Sequence, residues 1–498
     1  MKQSLFKLIS DALDENGRLP ESFSLPKDPD VRVPFADGAE DGIGIYHMIA
    51  PEITDDIREG IKNAVAAASD GDNQRAEELF CELSKKISVI RAIDELQSYI
   101  IDNRDTLSAE NMYHFAENEI LCSPDKNCVK FGLSIMELFD ISGNEKLRGA
   151  VTALAASDEF TLFSLFIMLR WENGNEHIFN AAKKVSGWGR IHAVERLVPE
   201  TDEIKRWILR EGVHNAIVPA YSALDCWSKS GAEELLRSDE TLSDEDFHGI
   251  RDIIDALLDE GPCSGISSVE NAEDALTRFL QKASGRTLDV TDYETVRGIR
   301  DYCEENADIA ALCGEILGSE QCRECVKSAV KNGEGVELAK SLGIDVKPDV
   351  LAVLEEDPEK HCYLCSYLMS DDEYRAKAIA LFREKLPLGE MKAAPTTELG
   401  LGKEFAKERC LVDAIVQYLG KYPFEGIELI ETSLQCAPTR NRHMALNALQ
   451  GWTDAKQTPL SELLPDMFAL LQRLKEIEPD EKVREKMEKL LNGDIDQK

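Results

Sequence analysis

The sequence lacks long hydrophobic runs and the short motifs of the common enzyme classes. Its longest apolar stretch, 160–169, is about half of the roughly 20 residues that a membrane-spanning helix needs, which predicts a buried helix. GxxxxGKS/T, HExxH, GxSxG and a GxGxxG after a strand are all missing, as is a P450-type haem cysteine loop. These absences argue against the corresponding nucleotide-binding, metalloprotease, hydrolase and haem chemistries.

Basic residues are also scarce, with 57 Lys and Arg against 94 Asp and Glu and a formal net charge of −37. Such a charge repels phosphate backbones and anionic membranes, so we expect no membrane partner and regard nucleic acid as a disfavoured one. The first 17 residues form an amphipathic pattern with internal acids, unlike a secretory signal peptide. We therefore expect a cytoplasmic protein.

The thirteen cysteines are scattered and odd in number, which is typical of reduced thiols rather than of a disulfide framework. Two CxxC pairs stand out, Cys322 with Cys325 and Cys362 with Cys365, and four thiolates can hold zinc. However, 36 residues separate the pairs, and both lie in helical patterns that place i and i+3 on one face. We interpret them as core residues and expect no metal and no cofactor, with zinc binding and redox chemistry as the alternatives.

The dominant local signal is helical. Apolar residues recur at i, i+3, i+4 and i+7 in windows such as 57–65 and 79–90. Thr54, Thr201 and Ser243 precede acidic residues as candidate N-caps, and glycines follow many periodic runs. Helices of about 10 to 15 residues joined by short loops predict an all-α fold of stacked helical hairpins.

The N-terminal part has a different pattern. Alternation over Val31–Phe35 and Ile43–Tyr46 predicts a small β-hairpin or an extended arm. We expect four segments, namely an arm at 1–48, a helical repeat solenoid at 49–385, a loop or linker at 386–403 and C-terminal helical repeats at 404–498.

Three segments share the pattern Arg-x-x-Ala-x-x-x-Leu/Phe, at 190–197, 375–382 and 442–449. The alanine allows a close approach of helices, and the leading arginine can reach carboxylates or carbonyls of the adjacent repeat. The pattern resembles the second helix of HEAT-type repeats, which build right-handed α-solenoids. Ordinary amphipathic helices in a globular all-α protein are the alternative.

Two longer stretches, 187–215 and 438–452, resemble a bacterial group of HEAT-like helical proteins, some of which carry a "limonene hydroxylase" label. That label implies oxygen chemistry on a terpene, and no motif in the sequence supports it.

Polar and aromatic side chains gather near the repeat motifs. We predict ligand or partner binding at Trp188, Arg190, His192, Arg210, His214, Arg440, Arg442 and His443. We expect these residues to line a groove for an acidic peptide or a small anion. The alternative is that the arginines tie adjacent repeats together through buried carboxylates. No catalytic residue is assigned.

The expected function is a non-enzymatic scaffold or adaptor that presents a helical surface to another protein or peptide. Acidic stretches such as 239–246 and 355–359 favour a basic or amphipathic partner. One alternative is an enzyme on a helical scaffold, with a pocket around Arg190 and His192. The other is nucleic-acid recognition, as in HEAT-like DNA glycosylases, which the net charge disfavours.

Overall fold

A computed structural model describes residues 3–26, 35–47, 52–261 and 263–493. Every regular element among these residues is a helix, and an isolated β-bridge pairs Lys392 with Cys436. The predicted all-α class is confirmed. None of the described helices is long and apolar enough to cross a membrane.

The chain forms two compact units, one of residues 1–286 with 298–313 and the other of 287–297 with 314–498. The α-helices of the first unit are α1 (Leu5–Ala12), α2 (Ala39–His47), α3 (Asp55–Ser69), α4 (Asn73–Ser84), α5 (Val89–Asp102), α6 (Ala109–Cys122), α7 (Lys126–Met136), α8 (Glu145–Leu154), α9 (Thr161–Met168), α10 (Gly174–Ala182), α11 (Trp188–Arg196), α12 (Asp202–Glu211), α13 (Ala220–Ser230), α14 (Ala232–Arg237), α15 (Asp244–Leu258) and α16 (Ala272–Ala283).

Two helices, α17 (Val290–Tyr302) and α18 (Ala307–Leu317), contribute residues to both units. The second unit continues with α19 (Glu320–Val330), α20 (Val336–Ser341), α21 (Lys347–Glu356), α22 (Pro358–His361), α23 (Asp372–Lys385), α24 (Ala406–Leu411), α25 (Gln417–Leu419), α26 (Ile427–Leu434), α27 (Thr439–Lys456), α28 (Leu460–Leu463), α29 (Pro465–Lys475) and α30 (Glu481–Asn492). Short 3-10 turns lie at Ile266–Ser268, Cys362–Tyr367 and Lys403–Phe405, and a π-helical turn at Val412–Val416 joins α24 to α25.

Side-chain caps fix where several helices begin. Thr54, Thr201 and Ser243 each accept a hydrogen bond from a backbone N–H in the first turn of α3, α12 and α15. Each cap satisfies one of the N–H groups that a helix start leaves unpaired, and the acids that follow favour the positive end of the helix dipole. The three predicted N-caps are confirmed.

Helices pack mainly against their neighbours in the chain. In the first unit α3 packs on α4, α6 on α7 and α10 on α11, and in the second unit α19 packs on α20 and α26 on α27. The alanines of the repeat motif, Ala193, Ala378 and Ala445, are fully buried. Stacked hairpins of this kind are the arrangement of an α-solenoid.

The predicted β-hairpin is wrong in its second strand, because Ile43–Tyr46 lies inside α2. Gly38 has a φ of 75° in the turn before this helix, and Glu40 and Asp41 occupy its first turn, where acids are favourable. The four-residue alternation was too short to distinguish a strand from a helix. The first predicted strand, apart from Phe35, falls outside the described residues.

The predicted linker at 386–403 lies within the second unit and contains no α-helix. It is tied to the segment before α27, because the backbone N–H of Ala393 donates to the carbonyl of Gln435 and that of Thr396 to Ala437. The predicted division into four segments stays a prediction.

Candidate functional site

The motif arginines act as ties between helices. Arg442 and Glu478 form a bidentate ion pair of 2.8 and 2.9 Å, and only 1% of either side chain is exposed. Nη1 of Arg442 also donates to the carbonyl of Cys436 at 3.0 Å, and Nη2 donates to that of Thr396 at 2.7 Å. The guanidinium of this predicted binding residue is therefore bonded to partners inside the second unit, where it joins α27 to the segment before α30.

Arg375 repeats this geometry one motif earlier. It forms a bidentate pair with Glu425 at 2.8 and 2.9 Å and donates to the carbonyl of Met369, six residues upstream, as Arg442 does to Cys436. In the first unit Arg190 donates to the carbonyl of Glu211 and lies 5.0 Å from the Trp207 ring. All three motif arginines therefore reach a neighbouring helix or loop, but only Arg442 does so through a buried carboxylate, since Glu425 is 37% exposed and Arg190 bonds a backbone carbonyl.

The more exposed candidates also pair within the fold. Arg210 donates to Asp246 at 2.8 Å, and Arg440 pairs with Asp413. His214 lies 2.9 Å from Asp252, a hydrogen bond that raises the pKa of the histidine.

His443 differs from these candidates because it makes no such pair. Burial lowers its pKa, and its Nδ1 has no hydrogen-bond partner among the described residues.

Trp188 and His192 belong to an aromatic cluster beneath α2. The Trp188 ring lies 5.9 Å from Tyr46, 5.0 Å from Tyr221 and 6.2 Å from His192, measured between ring centroids. His192 is buried, and neither of its ring nitrogens has a hydrogen-bond partner in the described part of the chain. Burial lowers the pKa of His192, and the Glu195 carboxylate, 3.8 Å from its Nδ1, acts in the opposite direction.

A buried ion cluster anchors the same helix, and the sequence reasoning missed it. Lys130 of α7 lies 2.5 Å from Asp41 of α2 and 2.7 Å from Glu159, and all three side chains are buried. Burial alone would lower the pKa of Lys130, but the two carboxylates reverse this effect and hold it above its usual value. The sequence signal for this cluster was the lysine within the apolar run 128–136, because a lysine is almost never fully buried unless it is paired.

Backbone groups complete this region. Glu159 accepts a hydrogen bond from the backbone N–H of Gly38 at 2.8 Å. Asp158 accepts from Gly187 at 3.0 Å and Gly189 at 2.7 Å, which positions the start of α11. Burial raises the pKa of Asp158 to about 6.

We call the set Asp41, Tyr46, Lys130, Glu159 and Trp188 the α2 docking site. Its lysine is charged and paired with carboxylates on both sides, so it cannot act as a nucleophile at neutral pH. The role of this site is structural, because it fixes α2 to α7 and α11 within the first unit.

The two predicted CxxC pairs do not form a metal-binding group. Cys322 and Cys325 lie on α19, and Cys362 and Cys365 lie in the 3-10 turn. In the described parts of the chain, none of these four belongs to a group of three or more potential ligand atoms within 4.8 Å of one another. Burial raises the pKa of Cys322 to about 11 and of Cys365 to about 12, as expected for core thiols, whereas Cys325 and Cys362 are half-buried.

A different set of thiols and carboxylates does converge. Cys81, Asp125 and Cys128 form one such group, and Glu77, Glu119 and Cys128 form another. The cysteines are far apart in the chain, so no spacing motif could have revealed them.

No family model matches the chain, and a search of curated proteins finds no match. One solved structure found is described as a circular tandem repeat protein with novel repeat topology and enhanced subunit contact surfaces. It is 13% identical, with 88% of this chain and 94% of that chain covered, and the TM-score is 0.13. The assignment of helical repeats therefore depends on the helices of this chain, and the hydroxylase label has no support.

Proposed function

We propose that the protein is a non-enzymatic scaffold or adaptor that binds another protein or peptide through the surface of its helical repeats. The observation that carries this proposal is that the leading arginines of the repeat motif form their hydrogen bonds within the fold. Arg190, Arg375 and Arg442 each donate to a different neighbouring helix or loop. Stacked helices held together in this way offer extended surface for recognition.

The net charge of −37 favours a basic partner. In the acidic segment 355–359, Glu355 and Glu356 occupy the last turn of α21, and their side chains are exposed. Carboxylates at a helix C-terminus are disfavoured by the helix dipole, at about 0.3–1 kcal/mol each. No lysine or arginine of the described chain forms an ion pair with an acid of this segment, so the fold does not offset that cost.

Acids of the other acidic segment, 239–246, already form ion pairs with arginines of the same unit. Arg210 pairs with Asp246 at 2.8 Å, and Arg286 pairs with Asp244 at 2.7 Å. We therefore propose that the 355–359 segment, rather than 239–246, contacts the basic partner.

A defined probe tests this assignment. A fluorescent lysine-rich amphipathic peptide is titrated with the full chain at low and high salt. Exposed charge pairs are worth about 0.2–1 kcal/mol each. The triple variant Glu355→Gln, Glu356→Gln, Glu359→Gln should therefore weaken binding by about tenfold, which corresponds to about 1.4 kcal/mol.

The matched control removes the same charge from the other segment, as Asp239→Asn, Glu240→Gln, Glu245→Gln. It should leave binding within about twofold of the wild type, or about 0.4 kcal/mol. Equal weakening by both triple variants would show that net charge alone attracts the peptide and would reject the assignment to 355–359. No binding of the peptide at low salt would reject a basic partner.

Affinity purification with the same three proteins extends the test to native partners. A stoichiometric partner held by the wild type and the control, and lost from the 355–359 variant or at high salt, is the expected result. A DNA duplex in the titration should not bind, because the chain carries a large excess of acids.

A further inference from the structure

Two thiols and three carboxylates converge where α4, α6 and α7 meet in the first unit. Glu77 and Cys81 lie one turn apart on α4, Glu119 lies on α6, and Asp125 and Cys128 lie at the start of α7. Ligand atoms of Cys81, Asp125 and Cys128 are all within 4.8 Å of one another, and so are those of Glu77, Glu119 and Cys128. We call these five residues the thiol–carboxylate cluster.

Local structure fixes this convergence. Asp125 is the N-cap of α7, and its Oδ1 accepts hydrogen bonds from the N–H groups of Asn127 at 2.9 Å and Cys128 at 3.0 Å. One turn further on, a Cβ placed on Gly132 would lie 2.8 Å from the Cβ of Glu119. The glycine therefore allows α6 and α7 to approach closely, which brings Glu119 beside Cys128.

In the part of the chain that the structure describes, the side chain of Glu119 lacks a hydrogen-bond partner at one of its two oxygens. Its side chain is 1% exposed, and Asn118 donates to its Oε1 at 3.2 Å. Its Oε2 is buried and has no hydrogen-bond partner among the described residues. Buried carboxylate oxygens in proteins are almost always satisfied, because an unpaired one loses its hydration without compensation. A cation in the cluster would supply that partner.

We propose that Cys81, Asp125 and Cys128 bind a divalent metal ion of the zinc class, and that Glu119, whose carboxylate lies within 4.8 Å of the Cys128 thiol, moves to complete the site. Two sulfur and two oxygen ligands match the borderline-soft character and tetrahedral preference of zinc. Calcium and magnesium take oxygen ligands, so the thiols select against them. Glu77 lies beside the ligands as an additional carboxylate.

The environment suits a structural metal. The Sγ atoms of Cys81 and Cys128 lie 2.9 Å apart as a hydrogen-bonded pair, and Cys128 is buried. Two thiolates on one tetrahedral zinc lie about 3.8 Å apart, so binding must spread the two sulfurs by about 1 Å. Cys81 and Asp125 are half-buried, which leaves the ion a route from solvent. Binding replaces each S–H bond with an S–metal bond and releases the two thiol protons to solvent, with no change of oxidation state.

The function of this site would be to tie α4 to the α6–α7 hairpin. It is independent of the partner-binding surface, since 355–359 belongs to the other unit. Failure of the metal site therefore leaves the scaffold proposal standing, and the reverse is also true.

The test is metal content of the full chain. The protein, free of a histidine tag, is stripped with a chelator, incubated with Zn²⁺ under reducing conditions and desalted, and its zinc is measured by elemental analysis. We expect one zinc per chain in the wild type and in Cys122→Ser, a control that removes an exposed thiol of α6 outside the cluster. The double variant Cys81→Ser, Cys128→Ser should hold none.

Glu119→Gln keeps the shape of the side chain and removes its charge, so it tests the site if the serine variants fail to fold. It should weaken zinc affinity by at least tenfold with an unchanged far-ultraviolet circular dichroism spectrum. Co²⁺ added to the stripped wild type should give a thiolate charge-transfer band, which the double serine variant lacks.

Three outcomes would overturn the proposal. The first is absence of zinc from the folded wild type at saturating metal. The second is equal zinc content in the wild type and the double serine variant, which would place the metal on other cysteines. The third is a Cys81–Cys128 disulfide in protein purified without reductant, seen as a mass lower by two hydrogens, together with no zinc uptake after reduction.

Discussion

Replacement of Arg442 by methionine should strongly destabilise the second unit. The change removes one partner of a buried ion pair and leaves Glu478 without a counter-charge in a site where only 1% of its side chain is exposed. Breaking such a pair from one side costs about 3–5 kcal/mol. The carbonyls of Cys436 and Thr396 would lose their guanidinium donor as well.

The control lies two residues away on the same helix. Arg440 pairs with Asp413, but both side chains are about one-third exposed, so Arg440→Met should cost no more than about 1 kcal/mol. Urea unfolding followed by far-ultraviolet circular dichroism compares the two variants with the wild type. A cost of about 4 kcal/mol moves the midpoint by about 2 M for a slope of about 2 kcal/mol/M.

The double variant Arg442→Met, Glu478→Met separates loss of an ion pair from loss of packing. Replacing both charges with apolar side chains removes the uncompensated carboxylate, so much of the stability should return. A cost below about 1 kcal/mol for Arg442→Met would refute the reasoning. It would also reopen Arg442 as a residue that is free to bind a partner.

Three further predictions concern the first unit, and each is measured by urea or thermal unfolding. Gly42→Ala should cost about 1–3 kcal/mol because its new Cβ would overlap the Trp188 ring, whereas Gly44→Ala, whose nearest contact is 4.0 Å, should be tolerated. Lys130→Met should cost about 3–5 kcal/mol because it removes the buried cation that Asp41 and Glu159 share and leaves Glu159 with the more exposed Lys126 at 3.1 Å, and a cost near zero would contradict the ion cluster. His192 has a folded pKa below 6.5, so the unfolded state binds its proton more readily and stability falls as the pH drops below 6.5. His192→Phe should lose less stability over that range than the wild type, and an equal loss would show that other groups control it.

The helices could be predicted because the local sequence, through apolar periodicity and capping residues, determines where they form. The periodic window 57–65 and the cap at Thr54 both reappear in α3. The arginine ties were predictable in kind, since a leading arginine on a buried helix face needs an acceptor. Their acceptors, such as Glu478 for Arg442, could not be identified from the sequence because nothing in the spacing relates the two positions.

The α2 docking site and the thiol–carboxylate cluster were not predictable for the same reason. Asp41, Lys130 and Glu159 come from three distant segments that only tertiary packing brings together. Short alternation misled the assignment of Ile43–Tyr46, because the decisive contacts of α2 are long-range ones with residues such as Trp188.

The burial of α7 on all sides has a consequence for how the first unit unfolds. Its residues 128–136 are all buried, and it packs against α4, α5, α6 and α9. An array whose repeats touch only their neighbours can fray from its ends one repeat at a time. A helix wrapped by four others cannot be exposed without disrupting all of them, so the amide protons of α7 should exchange only through a cooperative opening of this whole block.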